Sequence, residues 1–195
     1  MVSAQLGKSE KSKKALLDAA RELVIENGYE KTTIRAICQK AGFSIGAFYH
    51  HFSNKDALLN ESFIYFDDTL DIEAFRRYDA MNAVDAVTAV LVDQTAFTED
   101  IGVHLMREYY RALLKEKGIG AIDTGRLYYK TVRKYVEKAQ QEALLTNTTD
   151  PDRIADLLIR HVRGGLIDWC LHDGNYNVTE RTKAELKLVL AAFLR

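Results

Sequence analysis

The sequence predicts an all-α protein, and three observations carry that prediction. Only one proline, Pro151, occurs in 195 residues, so little along the chain blocks helical hydrogen bonding. Alternating runs of β-branched residues, the mark of half-buried strands, are scarce. Apolar residues recur instead at three- and four-residue spacing over most of the chain. With 47% hydrophobic residues, the chain can bury a real core in one large or two small domains.

Composition also bounds what the protein does. No apolar stretch approaches the roughly 20 residues that span a bilayer, and the lysine-rich start lacks the apolar segment of a secretory signal. The expectation is a cytoplasmic protein with no membrane partner. Cys38 and Cys170 stand far apart and form no Cys-x-x-Cys pair, so neither a disulfide nor a metal site is expected. Net charge is −1, yet it is unevenly divided. Residues 1–60 carry nine Lys and Arg against six Asp and Glu, and the remainder carries 18 against 22. A basic amino end on a near-neutral chain points to an anionic partner at that end.

The first helix begins between Ser9 and Lys13. Leu16, Ala19, Ala20, Leu23 and Val24 form one apolar face, and Gly28 follows as a stop signal. Lys8, Lys11, Lys13 and Lys14 form either a solvated face or an auxiliary phosphate contact. Thr33 can cap a second helix whose inner face is Ile34, Ile37, Cys38 and Ala41, ended by Gly42. Ser44 can cap a third, short helix in which Phe48 and Phe52, four apart, share the buried side. Its opposite side carries Ser44, Ala47 and His50, with Tyr49 nearby. Two short helices around a glycine turn, with apolar inner faces, are the requirement of a helix-turn-helix.

The run Thr33-Ile34-Arg35-x-Ile37-x-x-x-Ala41-Gly42-Phe43-Ser44-x-Gly46-Ala47-Phe48-Tyr49-His50-His51-Phe52-x-Asn54-Lys55-x-Ala57-Leu58 resembles the amino-terminal domain of TetR-family transcriptional regulators. Two departures are small: Phe43 stands where the family often has Val, and Cys38 where Ala is frequent. The resemblance implies a DNA-binding domain over 1–53 and a ligand-binding and dimerisation domain over 54–195, with a fourth helix at about 54–78 connecting them. It places Thr33, Tyr49, His51 and Lys55 at DNA phosphates, to which each can offer a donor. Arg35, Ser44, Ile45, Gly46, Ala47 and His50 would face the bases, with Ala47 or Ile45 able to touch a thymine methyl. Ile45 also lies three and seven residues before Phe48 and Phe52, so burial in the small core is an equal reading for it.

Beyond the head, the fourth helix carries an apolar stripe of Leu58, Leu59, Ser62, Phe63, Phe66 and Leu70. Asn82 can cap the next helix, another runs from about Glu99 to Lys117, and Gly118 and Gly120 punctuate the chain. A long helix follows from about Thr124 to Glu142. Asp150 and Pro151 begin a helix that continues to about Gly174, and the last helix buries Leu186, Val189, Leu190 and Phe193. No Gly-x-Ser-x-Gly, P-loop or His-Glu-x-x-His motif appears, so an enzyme is disfavoured and no cofactor is expected.

Tyrosines and interrupting polar groups in this region fit a small-molecule pocket. Its candidate lining is Gln94, Phe97, His104, Glu108, Tyr109, Tyr128, Arg163 and Trp169, although aromatics at helical spacing also make plain core. Homodimer candidates are Ile154, Leu158, His161, Gly165, Leu186, Val189, Leu190 and Phe193. By resemblance, the last two helices of each subunit form a four-helix bundle. The functional expectation is a sequence-specific repressor, released from double-stranded operator DNA by a small-molecule effector. The alternative is a regulator controlled by a protein partner or by its own level.

Overall fold

The computed structural model describes residues 7–62, 67, 69–115, 122–146 and 148–194. These residues form ten α-helices: α1 (Lys8–Asn27), α2 (Ile34–Ala41), α3 (Ile45–His51), α4 (Lys55–Ser62), α5 (Ile72–Asp79), α6 (Ala83–Ile101), α7 (Val103–Lys115), α8 (Leu127–Gln141), α9 (Pro151–Leu171) and α10 (Val178–Ala191). The one extended pairing among them is an isolated antiparallel bridge between Leu145 and Leu194. No described helix is long and apolar enough to cross a membrane.

The chain divides into two compact units, one of residues 1–64 with 107–120, the other of residues 65–106 with 121–195. In the first, α1 packs on α2, α3 and α4. Leu16 and Ala20 of α1, Ile37 of α2, Phe48 of α3 and Phe52 just after it are all nearly or fully buried, as their spacing predicts. The second half of α7 joins this unit: Arg111 reaches Glu30 in the α1–α2 connection at 3.5 Å and Glu108 at 3.1 Å. In the second unit α6 is the hub, packed against α5, α8, α9 and α10. Its Ala83, Ala86, Val87, Val90 and Leu91 have no exposed surface.

Capping explains most boundaries. The Thr33, Ser44, Asp71, Asn82, Asp150 and Asn177 side chains each accept a backbone N–H in the first turn of the helix that follows, an arrangement worth about 1 kcal/mol apiece. The same chemistry corrects the expected single helix over about 54–78. Asp71 adopts an extended backbone and captures the amide of Ala74, so a separate helix, α5, starts there. The expected helix from Glu99 also shifts, because α6 runs on to Ile101 and Gly102, at φ 93°, breaks the chain before α7. Phe63, Phe66, Gly118 and Gly120, and the side chains of Leu59 and Ser62, lie outside the described residues. Gly174 closes α9 at φ 71°, where a Cβ would lie 3.1 Å from the Val103 side chain.

Candidate nucleic-acid interface

Gly42 makes the turn of the helix-turn-helix. It sits in the left-handed region at φ 74° with its amide on the carbonyls at the end of α2, a conformation that costs other residues energy. Ser44 then starts α3, its Oγ accepting from the Ala47 amide at 3.1 Å. Phe48 is fully buried and lies 5.5 Å, ring to ring, from Phe52. With these anchors inside, the other face of α3 is left to solvent. Ile45 is 47% and Tyr49 56% exposed, and Ser44, Gly46 and His50 are exposed as well, with Ala47 half-buried. Ile45 is therefore a surface residue and not part of the small core. Arg35 and Thr33, on and before α2, are also exposed.

The four expected phosphate residues differ in how much donor capacity remains. Thr33 Oγ1 accepts from the Ala36 amide, which leaves its hydroxyl proton to donate outward. Tyr49 stands open. Lys55 Nζ already donates to the carbonyls of Tyr29 at 2.7 Å and Thr32 at 2.9 Å, and lies 3.9 Å from the Tyr29 ring centroid. Two of its three N–H groups thus tie α4 to the α1–α2 connection. Tyr29 in turn donates to Asp56, and burial together with that carboxylate pushes the phenol well above its ordinary range.

His51 is the most constrained of the four. Ser12 Oγ donates its single proton to the Ser9 carbonyl at 2.8 Å, so its 2.7 Å contact with His51 Nε2 requires the ring to be the donor. Neutral His51 therefore carries its proton on Nε2, and only Nδ1 remains to take a second one. Burial lowers its pKa, the neighbouring His50 and Lys13 lower it further, and Glu61 acts in the opposite sense. The neutral ring has no further N–H for a phosphate; the protonated ring has one. Ser12, which holds the ring, was not among the expected site residues, and its buried place on α1 is invisible to a motif confined to residues 33–58.

The expected pocket residues fall into both units. Glu108 and Tyr109 belong with the head, whereas Gln94, Phe97, His104, Tyr128, Arg163 and Trp169 belong with the second unit. Gln94 donates to Thr98 Oγ1, and Trp169 Nε1 to the Tyr176 carbonyl. His104 is exposed. Tyr128 and Arg163 share a small cleft with Arg126 and Tyr129.

The dimer set needs correction. Ile154, Leu158, Leu186 and Leu190 are buried in the protomer's own core, and Phe193 packs on the cluster of Ala83, Ala139 and Leu145. The bridge at Leu145 and the bond from the Thr146 amide to the Phe193 carbonyl draw the chain end inward. His161, Gly165 and Val189 retain part of their surface, with Leu157 and Leu188 exposed near them. Helical periodicity finds an apolar face, but not whether that face meets its own core or another chain.

Described residues folded mainly as α-helices, with the exposed face of a capped second helix presented after a glycine turn, have the geometry of a helix-turn-helix DNA-binding protein. The sequence model described as "Bacterial regulatory proteins, tetR family" matches residues 16–62. The HTH-type transcriptional regulator UidR of Escherichia coli K12 is 30% identical over 146 residues, covering 70% of this chain and 68% of that one. The transposon Tn10 TetC protein of Escherichia coli is 28% identical over 92% of this chain and 89% of its own. Among solved structures, FadR of Thermus thermophilus, a repressor in complex with lauroyl-CoA, superposes with a TM-score of 0.76 at 18% identity, over 94% of this chain and 95% of that one. The chain belongs to the TetR family of transcriptional regulators. It is a DNA-binding regulator and not an enzyme.

Proposed function

We propose that the protein is a cytoplasmic, homodimeric repressor that leaves its operator when a small molecule binds the second unit. The observation that carries the reading is the outer face of α3. Phe48 and Phe52 hold the helix from inside, while Ser44, Ile45, Gly46 and Ala47 stand outward without bulky polar side chains. Gly46 allows close backbone approach and the apolar groups suit thymine methyls. Arg35 and His50 supply the polar reach, and DNA shape adds to specificity. Thr33 and Tyr49 donate hydroxyls to phosphates. Lys55 offers its third N–H and its charge, and His51 contributes when protonated.

Two heads are needed for a two-fold operator, and the outer face of α9 and α10 suits the pairing. A groove of about 310 Å³ there is lined by His161, Gly164, Gly165 and Glu185 among others. A Cβ built on Gly164 or Gly165 meets nothing within 4 Å apart from its chain neighbours and its own helix backbone, which leaves room for a neighbouring helix. His161, Gly165 and Val189 of the expected set remain part of this surface. Effector control draws support from the FadR neighbour, whose complex contains lauroyl-CoA.

The test is fluorescence anisotropy on operator duplexes selected from the protein's own upstream DNA, with and without metabolite fractions. The expected results are salt-sensitive binding by a dimer and release by at least one fraction. Binding unaffected by every fraction would turn the regulatory reading toward a protein partner or autoregulation.

A further inference from the structure

Asp67, five residues beyond the end of α4, is bound at the start of α8 by four donors. Its Oδ1 accepts from Arg126 Nη2 at 2.9 Å and from the Tyr128 amide at 3.3 Å. Its Oδ2 accepts from the Leu127 amide at 3.1 Å and from Arg126 Nε at 3.3 Å. The carboxylate and guanidinium side chains are 13% and 14% exposed, so the pair is largely withdrawn from solvent screening. A charge-assisted, two-pronged arrangement of this kind is matched to a carboxylate in both charge and shape.

A cleft of about 40 Å³ opens on the same Arg126. Arg163 of α9 and the buried Tyr128 of α8 also line it. Burial raises the Tyr128 phenol's pKa, the charges of Arg126 and Arg163 lower it, and Asp67 acts in the same sense as burial. Two acidic residues also line the cleft wall. Asp123 accepts from the Gly125 amide, and Asp156 lies 3.1 Å from Arg160. Ile159 and Tyr129 complete an apolar flank.

We propose that this cleft is the head-group subsite for a carboxylate-bearing effector, whose carboxylate displaces Asp67 from Arg126 and the first amides of α8. Arg163 gives the incoming anion a cation that adds to those four donors. Asp67 is an internal competitor, so the apparent effector affinity is the intrinsic one multiplied by the fraction of molecules in which Asp67 is released. The proposal rests on effector control as argued above and names the class of ligand.

The experiment titrates the full-length protein with benzoate and octanoate and, as neutral counterparts, benzamide and octanamide. Calorimetry and thermal shift read binding, and anisotropy reads operator release. The carboxylates should stabilise the protein and the amides should not. Asp67→Asn, which removes the competing charge, should tighten carboxylate binding about tenfold, and Arg163→Gln, at a half-buried position, should weaken it about tenfold. Shifts are measured against each variant's own unliganded melting point, so a loss of stability does not mask them. Equal binding of acids and amides, or carboxylate affinity indifferent to both substitutions, would overturn the proposal, as would no binding of any carboxylate to wild type and Asp67→Asn. Release by a neutral metabolite alone would leave effector control standing and remove only the carboxylate subsite.

Discussion

The head and the second unit use similar residues for opposite ends. On α3 and its end the aromatic side chains divide: Phe48 and Phe52 are buried and Tyr49 is open. In the second unit Tyr128, Tyr135 and Trp169 are all buried, whether or not a ligand ever touches them. A surface that reads a rigid duplex must show its contacts to solvent before binding, so its chemistry separates from its core. A pocket that takes a small molecule is walled by the same apolar residues that make core.

The largest expected effects test that separation within the head. Phe48→Ala should cost roughly 3–5 kcal/mol of stability, the range for emptying a large buried aromatic. Ile45→Ala, on the open face, should change stability by less than about 0.5 kcal/mol while weakening specific operator binding. Denaturant melts and anisotropy on the two variants check the pair. If Ile45→Ala proved as destabilising as Phe48→Ala, the inner and outer faces of α3 would have been misassigned.

Lys55 sharpens the comparison, because it serves both packing and DNA. Lys55→Gln breaks two charged hydrogen bonds to the carbonyls of Tyr29 and Thr32, so stability should fall by about 1.5–3 kcal/mol per charged bond at most. The slope of log affinity against log salt should also fall by about one, as one phosphate contact is lost. A stability loss with an unchanged slope would confine Lys55 to a structural role.

His51 gives a smaller effect with a defined sign. Its folded-state pKa is lowered from 6.5, so folding holds the ring neutral. The stability this contributes is present above about pH 6.5 and is lost as pH falls through the lowered value. A phosphate reverses the preference, because only the protonated ring has an N–H to give it. Operator affinity should therefore rise as pH falls from about 7.5 to 6, by up to tenfold per pH unit, while the free protein becomes less stable. His51→Gln should flatten the His51 part of both trends. A pH-independent affinity in wild type would remove His51 from the phosphate set. Ser44→Ala, which removes one cap, should cost about 1 kcal/mol.

The residues also show where sequence reasoning stops. Thr33, Gly42, Ser44, Phe48 and Phe52 were legible because caps, glycine turns and four-residue spacing are local. Ile45 was ambiguous, since its spacing matched the buried pair and only the structure shows that its side chain turns outward. The break before α5 was missed because Asp67, Asp68 and Asp71 interrupt the apolar stripe without marking which one acts as a cap. Ser12 and Asp67 escaped notice for a different reason. Each works through a partner 39 or 59 residues away, His51 and Arg126, and such pairings leave no periodic trace. Ile154, Leu158, Leu186 and Leu190 were expected between protomers, and they are buried inside one.

The central claim is that the outer face of α3 reads the bases. Selection of binding sites from a randomised duplex pool, performed with wild type and with Ala47→Gln, tests it most directly. The account predicts that the variant enriches a site changed at one or two base pairs in each half, with affinity for random DNA altered by no more than about twofold. An unchanged preferred sequence in the variant would contradict it.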